Sequence, residues 1–171
     1  MTDRPTASGV ALRTATNDDR ARLLQLVSEG AGGTAYRELP LYFLRLALDR
    51  RMDAESRALV AVRGGAPVGC VLYGAVAGAV GTGRLHFITV ARDARREGIG
   101  RQLCTAAVSD LSTRGARSAI AELPDDAVVA AGHHLLARCG FSEAARIPDY
   151  YRDGIALIVL HRPLLPSDPS I

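Results

Sequence analysis

Leu85–Gly115, LHFITVARDARREGIGRQLCTAAVSDLSTRG, is the stretch whose reading decides the rest of the chain. It opens with an apolar strand at Leu85–Val90, crosses a short charged connection and meets glycines at Gly98 and Gly100. Ile99, Leu103, Ala107 and Leu111 then recur at helical spacing, and Gly115 is a stop signal. A strand that turns through glycine into a helix leaves backbone N–H groups unpaired at the helix start. With no Cβ at Gly98 or Gly100, a ligand can approach that backbone closely. The free donors and the positive end of the helix dipole both attract phosphate. Arg84, Arg92, Arg95, Arg96 and Arg101 outnumber Asp93 and Glu97, so the surroundings are basic. The stretch reads as an anion cradle.

Two common phosphate patterns fail here. A Walker loop needs a Gly-Lys-Ser/Thr end, and the chain has no lysine. The dinucleotide fingerprint needs three glycines, and only Gly98 and Gly100 are in place. Arg95-Arg96-Glu97-Gly98-Ile99-Gly100 instead matches Arg/Gln-x-x-Gly-x-Gly/Ala, preceded by the largely apolar strand end Phe87-Ile88-Thr89-Val90. With a strand before it and a long helix after it, this resembles the acetyl-CoA pyrophosphate loop of the GNAT-superfamily N-acetyltransferases. The resemblance implies that Arg95, Arg96, Glu97, Gly98, Ile99, Gly100 and Arg101 hold acetyl-CoA as co-substrate. It also implies that the backbone of Ile88, Thr89 and Val90 lies along the thioester, with an N–H there serving the oxyanion.

The bulk composition sets bounds on the fold. At 171 residues, 48% hydrophobic and 23% charged, the chain is globular and large enough for one well-buried core. A net charge of +3, with arginines scattered among 18 acids, lacks the basic stripe and interleaved aromatics of a nucleic-acid binder. Cys70, Cys104 and Cys139 are an odd, widely spaced set, unlike a disulfide framework, and read as buried thiols in a reducing cytoplasm. The opening residues lack the apolar core of a signal peptide, and no apolar run is long enough for a membrane span. The expectation is a cytoplasmic protein with no nucleic-acid or membrane partner.

Elements follow on both sides of the decisive stretch. A loose tail (1–9) precedes a first strand at 10–15 and a helix-start signal at Thr16-Asn17-Asp18-Asp19. Leu23, Leu24 and Val27 form one helical face, and after the glycines at 30–33 a second helix carries Leu41, Leu44, Ala47 and Leu48. Strands at 58–62 and 67–77 flank a Gly64-Gly65 hairpin. Beyond the central helix come a strand at 117–123, a helix at 127–139, Gly140-Phe141, and strands at 142–147 and 155–162. The order β-α-α-β-β-β-α-β-α-β-β predicts an α/β chain with one mostly antiparallel mixed sheet flanked by helices, which is also the GNAT order. One domain is expected at 10–163, with a second tail at 164–171.

Acetyl transfer needs a proton acceptor for the amine, a donor for the oxyanion and a proton for the thiolate. Many members of the resembled family carry a glutamate on the central strand; the matching position here is His86, whose imidazole titrates near neutrality. The helix tyrosine that often serves as acid corresponds to Leu136, and the usual asparagine near that helix's start corresponds to Val129. His133 and His134 are adjacent, so at most one could face a cleft, and they lack a third ligand at metal spacing; no metal is expected. Tyr150 and Tyr151, expected in the loop between the last two strands, resemble the acceptor-lining tyrosines of protein N-terminal acetyltransferases. They are candidates for acceptor contact and for the acid, with one ring expected inward and one outward, Tyr150 favoured as the acceptor-lining one. Tyr36 and Tyr42 read as packing residues.

The expected activity is acetyl transfer from acetyl-CoA to a primary amine of a peptide N-terminus or small molecule, by direct attack in a ternary complex. The resemblance also allows a homodimer. Because Leu136 cannot donate a proton, a non-catalytic acyl-CoA-binding regulatory module is the alternative.

Overall fold

The computed structural model describes residues 9–31, 36–49 and 56–164. Most of the two expected tails and part of the glycine turn at 30–33 therefore lie outside the described residues. Leu164, placed with the C-terminal tail by sequence, is buried and donates its N–H to the carbonyl of Arg117.

The strands are β1 (Ala11–Thr14), β2 (Arg57–Arg63), β3 (Ala66–Ala75), β4 (Thr82–Val90), β5 (Ser118–Pro124), β6 (Ser142–Arg152) and β7 (Ile155–Pro163). The helices are α1 (Arg20–Gly30), α2 (Glu38–Asp49), α3 (Ile99–Thr113) and α4 (Ala130–Arg138). The sheet runs β1-β2-β3-β4-β5-β7-β6, and only the β4–β5 pair is parallel. That parallel pair is joined through α3, as a crossover requires. On β3, buried residues follow one another from Gly69 to Gly74, so both faces of the sheet are covered. Removing a Cβ decides two of those contacts. A Cβ on Gly69 would meet Leu103 of α3, while one on Gly30 would lie 2.0 Å from Thr89 Oγ1. Helix α3 thus covers one face through Leu103, Ala107 and Leu111, and α1 crosses β4 on the other, at a point that tolerates only glycine.

Two irregularities of β4 position everything that follows. The first is a bulge. Tyr73 pairs with Leu85 and Leu72 pairs with Phe87, so His86 is an extra residue with no partner of its own on β3. An inserted residue reverses which face the downstream side chains occupy. Gly83 accordingly packs on Leu111 of α3, whereas Phe87 and Thr89 pack on Gly30 of α1. The second is a splay. β4 and β5 pair only from Thr82–Leu85 to Ser118–Ala121, and then part. β5 continues its pairing with β7 through Glu122, Leu123 and Pro124, leaving His86–Val90 without a β5 partner.

Candidate active site

The cradle follows directly from the end of β4. A short 3-10 turn, Arg92–Ala94, leads to Arg95, whose Nε donates to the carbonyl of Val90 at 3.0 Å. Arg96 (φ 67) and Gly98 (φ 80) are both left-handed, which turns successive N–H groups toward one concavity. A left-handed arginine stores about 1 kcal/mol or more of strain, whereas Gly98 adopts the same region freely. The first helical bond of α3 runs from Gln102 N–H to Gly98 O, so the N–H groups of Ile99, Gly100 and Arg101 have no acceptor within the helix. Nothing lies within 4 Å of a Cβ built on Gly98. The start of a fifteen-residue helix therefore presents free donors into open space.

The structure changes two readings of this loop. Gly100 does not hold the approach open for a ligand; a Cβ there would meet Leu135 of α4 at 3.1 Å, so its role is helix packing. Ile99 is 1% exposed, and only its backbone is available to a ligand. Glu97 is ion-paired with Arg63 at the β2–β3 hairpin, which offsets a carboxylate that would otherwise oppose an anion. Arg96 and Arg101 are exposed.

Beside the cradle, a cavity of about 520 Å³ is bounded by Thr89, Val90, Ala91, Arg92 and Arg95, by Leu26, Glu29 and Gly30 of α1, and by Val128. Thr89 is buried against Gly30, and Ile88 and Val90 are half-buried. The path from the cradle to the splay thus runs along the strand end that the sequence singled out.

The other end of the splay is made of side chains. His86 stacks on Phe43 of α2 with ring centroids 3.7 Å apart and planes 20° from parallel. Its Nδ1 is sealed from solvent and has no hydrogen-bond partner among the described residues. Burial, with a smaller contribution from the Arg84 charge, lowers its pKa to about 4, so the ring is neutral at physiological pH. Across the splay, Arg84 pairs with Glu122 of β5 at 3.0 Å.

Tyr150 and Tyr151 lie within β6, which runs on to Arg152, and not in a loop after it. Ile147 pairs with Leu157 and Arg152 with Ile155, so 148–151 bulge away from β7. Asp149 holds the bulge: its backbone is left-handed (φ 51) and its Oδ1 accepts the Gly154 N–H at 2.7 Å. The bulge also breaks strand alternation. Instead of pointing to opposite faces, the two rings meet edge to face at 5.0 Å, and Tyr151 packs in the same way on Tyr36 at 5.5 Å. Tyr151 is the more enclosed of the pair, at 40% exposure against 58%. Its phenol pKa is raised by burial first, then by Tyr150 and Glu122.

Asp126, which the sequence offers with Asp125 only as a helix cap, ties this end together. Its Oδ1 caps the turn before α4 by accepting the Val128 N–H, while Oδ2 accepts from Tyr36 Oη at 2.9 Å and from Arg152 at 2.7 Å. These donors hold its pKa below the ordinary carboxylate range, the Val128 N–H foremost. Tyr36 is thus more than packing. Its sequence signal was absent, because Tyr36, Asp126 and Tyr151 meet only in the fold. His133 is fixed through Nε2 to the Pro124 carbonyl at 3.0 Å, and Leu136 is 2% exposed in the core. Among the described residues, no group of three metal-binding side chains occurs.

The helix-start cradle follows directly on the strand end that the splay leaves open, and sequence comparison places that arrangement. The model of the acetyltransferase (GNAT) family matches residues 22–141. The chain belongs to the GNAT acetyltransferase family. It has the mixed α/β sheet of that family. A GNAT-family protein from Desulfovibrio desulfuricans is 25% identical with TM-score 0.80, over 90% of this chain and 98% of that one. The ribosomal-protein-alanine N-acetyltransferase of Brucella melitensis is also 25% identical, with TM-score 0.72 over 90% and 99%. The yncA protein of Salmonella typhimurium, solved with acetyl-CoA, shares the fold at 18% identity, with TM-score 0.75 over 91% and 94%. No curated protein matches the chain by sequence. Among the described residues no helix is long and apolar enough to cross a membrane.

Proposed function

We propose that this acetyltransferase moves an acetyl group from acetyl-CoA to a primary amine of low basicity, an α-amino group being the best match, in a ternary complex. The observation that carries the reading is the continuity of the splay, which leads from the donors at Ile99, Gly100 and Arg101 to His86. The residues fit the co-substrate: an open, left-handed N-cap at Gly98 presents backbone donors to an anion, and the cavity beside it continues along Thr89 and Val90. Bound there, acetyl-CoA supplies an activated thioester. Arg95, Arg96 and Arg101 add positive charge at the rim, Arg63 offsets Glu97, and the backbone of Ile88, Thr89 and Val90 offers donors at the strand edge that β5 leaves open.

The choice of amine follows from proton bookkeeping. His86 can accept a proton at its ring nitrogen, but with a pKa of about 4 it cannot strip an alkylammonium of pKa roughly 10.4. An α-amino group, at pKa roughly 7.7–8.0, is already about a tenth neutral at pH 7, some three hundredfold more than a lysine-type amine. The carboxylates at this end are committed, Asp126 to Tyr36 and Arg152 and Glu122 to Arg84, so a polycationic acceptor finds no free counter-charge in them. Tyr151, enclosed by Tyr36 and Tyr150, is the phenol best placed to protonate a thiolate; Tyr150 lines the acceptor side. The Brucella relative, named for a ribosomal-protein alanine, supports an α-amine acceptor.

Release of free CoA thiol with short peptides and with alkylamines, at one pH, tests the proposal. Peptides with a free α-amine should turn over faster than the same peptides with that amine blocked and a lysine available. Turnover confined to alkylamines would refute the α-amine assignment. The second reading, an acyl-CoA-binding module, is favoured only by the buried Leu136 at the acid position, and binding without acceptor-dependent release would establish it.

A further inference from the structure

We propose that the hollow between the β3–β4 connection and the end of α3 is a second binding site, for an organic monocarboxylate with an alkyl or aryl body. It lies at the start of β4 and the end of α3, the ends remote from the cradle. The cavity measures about 630 Å³, a volume that small ligands fill. Its walls are largely apolar, supplied by Val76 and Val80 of the connection and by Leu111 and Ala116 at and beyond the end of α3. Val80, at 91% exposure, is the most exposed large apolar side chain among the described residues. Such a side chain beside a hollow marks a place where apolar surface can be covered.

The charge of the ligand follows from a count of ions. Arg57 of β2 and Arg114 line the cavity, and among the described residues no carboxylate does. Asp110 is the carboxylate within reach of both, so one negative charge serves two guanidinium groups. It is also engaged: its Oδ2 accepts from Tyr73 Oη at 3.0 Å and from Arg114 Nε at 2.8 Å. Arg57 Nε stands 3.7 Å from the same oxygen, too far for a hydrogen bond, and has no partner among the described residues. The last carbonyls of α3 do not fill the gap, because they accept the N–H groups of Arg114, Gly115 and Ala116. A third guanidinium, Arg117, stands at Gly81 and donates to the Val80 carbonyl at 3.4 Å. Arg57 is 31% exposed and Arg114 47%, so both remain reachable from the cavity that they line. A carboxylate matches a planar guanidinium, and an apolar body matches the walls. Phosphate finds too few partners, since Thr82 is the one other lining side chain with a polar group.

The probe is octanoate, titrated into the full chain and followed by backbone amide shifts, with 1-octanol and octylamine as controls of matched length. Expected are shifts centred on 76–81 and 111–117, with octanoate at least about tenfold tighter than octanol, near the worth of a charge-assisted hydrogen bond, and octylamine not binding. Saturating acetyl-CoA should leave the octanoate affinity unchanged, because the cradle lies at the other end of α3. Arg57→Gln and Arg114→Gln should each weaken octanoate at least about fivefold and leave octanol as in the parent. Equal affinities for octanoate and octanol, shifts centred on 87–101, displacement by acetyl-CoA, tighter binding of inorganic phosphate, or parental octanoate affinity in both variants would each overturn the proposal. Should Arg57→Gln fail to fold, Arg114→Gln and the parent's octanol comparison decide alone.

Discussion

At the proposed cradle the donors belong to the backbone of one loop, Arg95–Arg101, while the proposed acceptor end is built of side chains from α2, β4, β5, β6 and the segments before α2 and α4. The contrast has a physical cause. Donors at a helix start exist because of where a helix begins, so the local run of residues decides them. Tyr36, Phe43, His86, Asp126 and Tyr151 become a site only through strand register and two bulges. A backbone site should therefore fail through a residue that adds something to open space, and a side-chain site through a residue that loses a contact.

The largest effect should come from Gly98→Asp. The new side chain enters open space, but its charge sits at the anion position; at about 5 Å and an effective dielectric of about 20 this costs about 3 kcal/mol, or about a hundredfold in acetyl-CoA affinity. Gly98→Ala isolates the left-handed backbone and should lose only about 1 kcal/mol of stability. Isothermal titration with denaturation of both variants checks the pair. Equal affinity losses in both would mean that strain, and not anion recognition, is being measured.

Next comes the pH response of His86. Its folded pKa of about 4 lies below its unfolded value, so the unfolded chain binds the extra proton first as pH falls. Stability associated with the neutral ring is complete above about pH 6.5 and is lost down to about pH 4, by about 3 kcal/mol in all. Urea denaturation at pH 7 and pH 4.5 should show that loss diminished in His86→Gln. Parallel losses in parent and variant would place the titrating group elsewhere.

Tyr151→Phe should lower turnover about tenfold, near the worth of one hydrogen bond, with acetyl-CoA affinity unchanged; Tyr150→Phe should act mainly on acceptor KM. If both variants keep parental turnover, neither phenol is the acid. The smallest effect is expected from Asp126→Asn, which weakens the tie among Tyr36, Arg152 and the α4 cap. A few-fold rise in acceptor KM with acetyl-CoA affinity held would confine its influence to the acceptor end; steady-state kinetics read both.

The same contrast explains what was legible in the sequence. The succession of strands and helices along the chain followed from apolar periodicity and glycine punctuation, and the cradle from six consecutive residues. The bulge at His86 left no trace, because a single inserted residue changes register without changing composition. The strand β6 was read as ending near 147, since Pro148 and Asp149 carry turn signals; the fold uses them inside the strand as a bulge. Gly30 read as part of a glycine-rich turn and Gly100 as a ligand approach, yet both are close-packing positions whose neighbours, Thr89 and Leu135, come from distant segments. Asp126 could be read as a cap, but not as the junction of three elements.

The most direct test of the central claim, that backbone donors at the start of α3 hold a phosphorylated thioester, is to compare acetyl-CoA with S-acetylpantetheine, which keeps the thioester and lacks every phosphate. Titrated into the parent protein, acetyl-CoA should bind at least about a hundredfold more tightly, and Gly98→Asp should erase most of that difference while leaving the weak binding of S-acetylpantetheine unchanged. Equal affinities of the parent for the two compounds would contradict the account.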